Sequence, residues 1–285
     1  MHDAVGFDVD TLRILLKTRF VGVGERLYYV PEVGSTNSLA MQLAHEKPEE
    51  GLVVLANSQT AGRGRQGRSW VDAPGCSILS SILLRPVFPP HLLVMVAALA
   101  VVEAIAQTCG ARAAIKWPND VLLEGRKVSG ILIETGHDSH GRLFAVLGIG
   151  VNVNGQAQGR VEQKGVEVEL STIATTLETV CGHLVQREQI LACLLLSLEH
   201  DYLALQAEAT GPPVATPFDR PVARFIRERW QKCLSTLGST IKVHQGDSVI
   251  EGVAEAVNDT GALLLRRRSG ELVCITWGAV EHFPG

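Results

Sequence analysis

The chain has no Cys-x-x-Cys pair, and its six cysteines (Cys76, Cys109, Cys181, Cys193, Cys233 and Cys274) are scattered over 285 residues. That spacing excludes a zinc ribbon or a redox dithiol and leaves reduced, mostly buried thiols as the expectation. A basic excess is also missing: 26 lysines and arginines face 30 acids, for a net charge of −4. Non-specific coating of nucleic acid needs the opposite balance, although a local basic patch stays open. Long hydrophobic runs are few. The longest, Leu92 to Val102, falls far short of the ~20 residues that span a bilayer, so no membrane partner is expected. The N-terminus, Met1-His2-Asp3-Ala4-Val5-Gly6, has no basic stretch followed by an apolar one. Secretion is therefore not expected, and a cytoplasmic protein is. Repeats and low-complexity tracts are absent.

What is present suffices for a core. Hydrophobic residues make up 46% of the chain and charged residues 20%, which excludes a disordered protein. The length fits one large domain, or a large domain plus a small one.

The spacing predicts a first helix over residues 8–19, with Asp8 or Asp10 as its N-cap. A strand follows at Leu27 to Val33, and Gly34-Ser35-Thr36-Asn37 opens a helix running to about His45. Further strands are expected at Leu52 to Asn57, Ile78 to Leu84, Ala113 to Trp117, Val121 to Leu123, Val128 to Glu134 and Leu143 to Val153. Leu92 to Cys109 reads as a helix too apolar to lie on the surface. Residues 155–169 read as a polar loop, and helices are expected at Ile173 to Cys181, Arg187 to Leu205 and Pro221 to Cys233. A connector rich in proline covers Ala209 to Pro221. From Gly238 the texture changes to four short strands at Ile241 to Val243, Val249 to Val257, Ala262 to Leu265 and Leu272 to Thr276, the pattern of a small β-barrel.

Four segments carry chemistry. The first is Gln59-Thr60-Ala61-Gly62-Arg63-Gly64-Arg65-Gln66-Gly67-Arg68-Ser69-Trp70. Its Gly62, Gly64 and Gly67 spell G-x-G-x-x-G, but the run continues through Asp72-Ala73-Pro74-Gly75 into a strand, and no acid follows at the ribose position. The dinucleotide reading fails on that context. Three readings remain. One is a solvated basic loop. Another is an arginine–glycine segment that binds nucleic acid, which the acidic chain and the lack of further basic runs nearby weaken. The third is a cationic flap whose glycines allow close approach and whose arginines fork onto phosphate. The second segment, Lys116-Trp117-Pro118-Asn119-Asp120, packs a cation, an amide and a carboxylate into one strand end. In the third, Lys127-Val128-Ser129-Gly130-Ile131-Leu132, strand alternation places Lys127 and Ser129 on one face and Val128 on the other. The fourth, Gly148-Ile149-Gly150-Val151-Asn152-Val153-Asn154, alternates glycines in a way that packing alone explains poorly.

Taken together and in this order, with Gly34-Ser35-Thr36-Asn37 ahead of them, these segments closely resemble biotin–protein ligases. The resemblance covers residues 28–154 by motif, and the C-terminal strands match that family's SH3-like module more loosely. It implies an α/β (α+β) fold: a mixed, largely antiparallel sheet with helices on one face over residues 1–236, then a small SH3-like β domain over 237–285. It also implies an enzyme that activates biotin with ATP as biotinyl-5′-AMP, releasing pyrophosphate. The biotinyl group then passes to one lysine of the biotin carboxyl carrier domain of acetyl-CoA carboxylase or a related carboxylase.

By that resemblance Ser35, Thr36, Asn37 and Gln59 bind the biotin ring. Arg63, Gly64 and Arg65 close over biotin and the adenylate, and Lys127 contacts the biotin carboxylate and the α-phosphate. Arg65, Arg68, Trp70, Lys116, Asn119 and Asn152 serve ATP, with Trp70 packing on adenine. Arg65, Lys127, Lys116 and Asp120 form the catalytic set, Asp120 orienting or deprotonating the incoming amine. Mg²⁺ is expected with ATP. No protein metal site is expected, because the nine histidines do not cluster and His137 and His140 read as loop residues. With 34 residues ahead of Ser35, a DNA-reading domain and specific DNA binding are not expected. Arg266-Arg267-Arg268 reads as a solvated turn, and a monomer and a homodimer are both compatible. Three other readings compete: a lipoate–protein ligase, a non-catalytic biotin-dependent regulator, and a nucleic-acid-binding β-barrel. The last has only Trp277 and Phe283 to stack with.

Overall fold

A computed structural model describes residues 6–46, 49–163, 166–212 and 220–282. Met1 to Val5, most of the connector expected over residues 209–221, and Phe283 lie outside them.

Helix α1 (Val9–Leu15) is capped by Asp8, whose carboxylate accepts from the Thr11 N–H. It ends four residues earlier than expected because the following N–H groups find another acceptor. Arg19, Phe20 and Val21 donate to the carboxylate of Glu199. Then come β1 (Leu27–Val33), α2 (Thr36–Glu46), β2 (Val53–Gln59), β3 (Ser77–Leu84), α3 (His91–Cys109), β4 (Ala114–Lys116), β5 (Asp120–Leu123), β6 (Arg126–His137) and β7 (Leu143–Asn152). The seven strands form one sheet in the order β1-β2-β3-β7-β6-β5-β4. Only β1 and β2 run parallel; every other neighbouring pair is antiparallel. The largely antiparallel mixed sheet is as expected.

Strand alternation divides the sheet into two faces. On one, Val53, Leu55, Ile78, Ile82, Leu84, Ala145 and Leu147 join the main core with α3 and the later α6 (Arg187–Ala209). Both helices are long and apolar enough to cross a membrane by length and composition, yet more than half of each apolar window is buried inside the protein. On the other face, Val54, Leu83, Phe144 and Val146 pack against Ala40, Leu43 and Ala44 of α2. Helices therefore cover both faces, where the sequence suggested one. Helix α2 is short, so it covers only part of its face. The uncovered part carries Leu79, Gly148, Gly150, Gly130 and Leu132.

After β7 the chain departs from the expected polar loop and forms a hairpin, β8 (Arg160–Gln163) and β9 (Val166–Glu169). The single helix expected over Ile173 to Cys181 is two short ones, α4 (Leu170–Ile173) and α5 (Leu177–Cys181). Helix α6 and then α7 (Pro221–Cys233) follow; the Glu208 carboxylate caps α7 from outside by accepting from Val222 and Ala223. The C-terminal sheet has five strands rather than four: β10 (Thr240–Gln245), β11 (Ser248–Val257), β12 (Leu263–Arg266), β13 (Leu272–Ile275) and β14 (Ala279–His282). Their order is β13-β12-β11-β10-β14, and Ile241, Val243, Ala254, Leu263 and Leu265 belong to the same core as α3 and α6.

Candidate functional site

The segment after β2 is a small hairpin rather than a loop. Its base continues the β1–β2 ladder: Thr60 N–H donates to Val33 at 3.0 Å and Ala61 N–H to Gly34 at 2.8 Å. Gly64 N–H then meets the Arg68 carbonyl and Trp70 N–H the Gly62 carbonyl. Two of the glycines are dictated locally. A Cβ on Gly62 would lie 2.6 Å from the Trp70 carbonyl oxygen, and Gly67 turns the tip at φ +72°. This hairpin lies over the part of the sheet that α2 leaves open.

The cleft between flap and sheet measures about 450 Å³ including its open mouth. Its lining brings together eight predicted residues: Thr36, Gln59, Arg63, Gly64, Arg65, Trp70, Asn119 and Lys127. Leu79, Leu132 and the Gly130, Gly148 and Gly150 positions form its floor. The alternating glycines do have a packing reason. A Cβ on Gly148 would sit 2.2 Å from Asn37 Oδ1, and one on Gly150 2.6 Å from the Trp70 ring. The indole also covers Gly130, and the Lys127 ammonium stands 5.6 Å from its centroid. Trp70 is thus a wall of the cleft, and its Nε1–H is buried without a partner.

At one end of the cleft the groups are neutral. Gln59 Oε1 accepts from both the Thr36 N–H (2.8 Å) and hydroxyl (3.0 Å), which leaves the Gln59 amide N–H groups for another acceptor. Ser35 and Asn37 do not line it. The Ser35 carbonyl accepts from Leu39 N–H at the start of α2. Asn37 receives the Ser81 hydroxyl proton on Oδ1 (2.6 Å) and donates from Nδ2 to Glu134 (2.9 Å). It braces the site from behind.

The other end is cationic. Lys127 Nζ pairs with Asp120 at 2.7 Å. Lys116 lies opposite Asp120 across β4 and β5. Burial pushes the Lys116 pKa down, Asp120 opposes that, and Lys127 and Arg68 push it further down. Burial likewise lowers the Arg65 pKa, with Asp120 raising it and Arg68 lowering it. Arg65 donates to Asn119 Oδ1 at 2.8 Å, and Asn119 Nδ2 donates to the Ile131 carbonyl. Four cations thus surround one carboxylate, an arrangement short of negative charge and suited to phosphate.

Strand alternation misplaced one residue. The β5–β6 register shifts between Val121↔Ser129 and Leu122↔Lys127, a bulge at Val128. It turns Lys127 into the cleft while Ser129 is fully buried. Asn152 is outside the cleft and donates to the Thr175 carbonyl (3.1 Å). Thr175 N–H in turn donates to the Lys127 carbonyl, and Thr175 lines a second cleft beside Arg126 and Gln156. Arg68 is exposed and reaches the site only through its charge. Glu134 and Ser81 were missed. Counting by twos along β6 from Gly130 would have found Glu134.

The C-terminal sheet reaches the site through Trp117. Its backbone N–H donates to Thr236 Oγ1 and its indole N–H to the Gly261 carbonyl at 2.9 Å. The three arginines on that sheet each have a glutamate: Arg266 with Glu255, Arg267 with Glu271 and Arg268 with Glu251. Among the described residues no group of three or more His, Cys, Asp or Glu could hold a metal ion.

The profile of the biotin/lipoate A/B protein ligase family matches residues 29–154, and that of the biotin protein ligase C-terminal domain matches residues 236–282. A biotin–[acetyl-CoA-carboxylase] ligase from Paracoccus denitrificans is 35% identical over 84% of this chain and 93% of its own length. The bifunctional ligase/repressor BirA of Bacillus spizizenii is 32% identical over 91% of this chain and 74% of its own. Among solved structures, the biotin protein ligase from Aquifex aeolicus in complex with biotin and ATP aligns with a TM-score of 0.71 and 26% identity, covering 90% of this chain and 98% of that one.

Proposed function

Since the chain belongs to the biotin/lipoate A/B protein ligase family, we propose that it joins biotin to a carrier protein through a biotinyl-5′-adenylate made in this cleft. The observation that carries the reading is the cleft's polarity. A neutral hydrogen-bonding end, an apolar floor and a cationic end match a polar ring, an aliphatic tail and a phosphate joined to it. Gln59 and Thr36 bind the ureido ring, while Ser35 and Asn37 hold them in place. A carboxylate oxygen of biotin attacks the α-phosphorus, and pyrophosphate leaves with the electrons of the broken P–O bond. Lys127, Arg65 and Lys116 balance the charge that builds there. The acceptor lysine amine then attacks the acyl carbon and AMP departs. Asp120, held by Lys127, orients that amine. The nucleotide's far end extends past Arg68 and Trp70 toward Asn152 and the second cleft.

Mg²⁺ suits this donor set only as an ion carried by the phosphates, since such ions need one or two carboxylates rather than a protein cage. Bound there, it would neutralise phosphate charge. The acceptor is the carrier domain of acetyl-CoA carboxylase or a related carboxylase. The enzyme works in the cytoplasm, where its six free cysteines stay reduced.

Intact-mass analysis of a carrier domain mixed with the protein, biotin and ATP tests the proposal. One biotinyl addition is expected, lost when the acceptor lysine is replaced by arginine. A lipoyl addition when lipoate is offered, with none from biotin, would overturn the substrate assignment.

A further inference from the structure

Beyond its base, the flap is tied down by few side chains. Arg65 reaches Asn119, a neutral partner. Arg63 Nη2 reaches Glu134 Oε2 at 2.6 Å, and among the described residues this is the ion pair that joins residues 62–70 to the sheet. Glu134 lies on β6 opposite Val146, on the same face as Gly130 and Leu132. It is not a freely rotating surface acid. The same Oε2 accepts from Asn37 Nδ2 at 2.9 Å, and Asn37 is fixed by Ser81 at 2.6 Å and by its seat on Gly148. The carboxylate is therefore held in place by the sheet and α2, and it presents a fixed charge to the hairpin above it.

We propose that Glu134 is the latch that keeps the flap closed over the bound acyl adenylate, with Arg63 gripping the protein rather than the ligand. The inference rests on the adenylate reading above. Arg63, Gly64, Arg65 and Trp70 all line the cleft, so the hairpin forms one of its walls, and holding that wall down slows exchange of a bound ligand through the mouth. A mixed anhydride must be kept from water until the acceptor arrives. The pair is partly solvated, with side chains 43% and 28% exposed, so it biases closure yet yields in each turnover.

The test is release of preformed biotinyl adenylate. Labelled adenylate is made on wild-type and Glu134→Gln enzymes, each in its full chain, and followed by chase with unlabelled ligand. The glutamine keeps an acceptor for Asn37, so the melting temperature should hold. Release should be about fivefold faster in Glu134→Gln. Raising salt should speed wild-type release more than the variant's, because wild type has the Arg63–Glu134 pair to screen in addition to the phosphate contacts that both enzymes share. The rate constant for adenylate formation should stay within about twofold. Should Glu134→Gln misfold, Arg63→Gln, altered on the exposed side of the pair, is expected to release about fivefold faster than wild type, and release equal to wild type would overturn the latch. The double variant should be no faster than either single one. Equal release from wild type and Glu134→Gln, or additive effects in the double variant, would overturn the latch. A wild-type enzyme that forms no biotinyl adenylate would instead overturn the functional reading beneath it, and the latch with it.

Discussion

Both carboxylate oxygens of Asp72 are buried without a hydrogen-bond partner, and burial raises its pKa from 3.8 to about 6. Between those values the folded protein keeps a proton that the unfolded chain has lost. Stability contributed by this group therefore falls as pH rises from about 4 to about 6, and the penalty persists above that window. Asp72→Asn removes the charge, so it should raise the melting temperature at pH 8, by on the order of 1–2 kcal/mol in stability. The gain should vanish below about pH 4, where Asp72 is protonated in both states. Thermal melts at the two pH values check this, and an equal gain at both would refute it. At this scale the sequence was legible where a motif names a side chain: Lys127, Arg65, Gln59 and Asn119 all reach the cleft. It was not legible where a residue works from behind. Strand alternation puts Glu134 on the face of Gly130, but its partners Asn37 and Arg63 come from distant segments, and Asn37 looked like a ligand contact although both ends of its amide are engaged by protein.

The strands around the cleft show why three glycines recur there. Gly130 pairs with Gly150, and Gly148 with Leu132, so beside Leu79 and Leu132 the floor exposes bare backbone on adjacent strands. A methyl at Gly150 would press on Trp70 Cζ2 at 2.6 Å and Cε2 at 2.7 Å. Gly150→Ala should therefore lift the indole and the flap with it. Calorimetric titration with biotin is expected to show affinity reduced about tenfold or more, with the fold retained. Unchanged affinity would mean that Trp70 is not a wall of the site. Long apolar elements were readable because periodicity records burial: β2, β3 and α3 differ from expectation by a residue or two at their ends. Short polar ones were not. The β8–β9 hairpin has strands of only four residues each, with Arg160 pairing across to Glu167 and Glu169. The helix expected at Ile173 to Cys181 breaks because Thr175 N–H is drawn to the Lys127 carbonyl, after which Thr176 caps a new helix.

Across the whole molecule, the sheet separates support from chemistry. One face is filled by α3 and α6, and the other is divided between α2 and the flap. The C-terminal sheet shares the main core and fixes Trp117, and so sets the strand end that carries Lys116, Asn119 and Asp120. Fold class could be read from the order of motifs. Helices on both faces could not, because α2 is too short to announce which face it covers. The proposed function turns on adenylation of biotin in this one cleft. ATP–pyrophosphate exchange with the purified protein, offering biotin and lipoate separately, tests it most directly. Exchange with biotin and not lipoate is predicted, reduced about a hundredfold or more in Lys127→Gln. Exchange with lipoate alone, or with neither acid, would rule out biotin adenylation in this cleft.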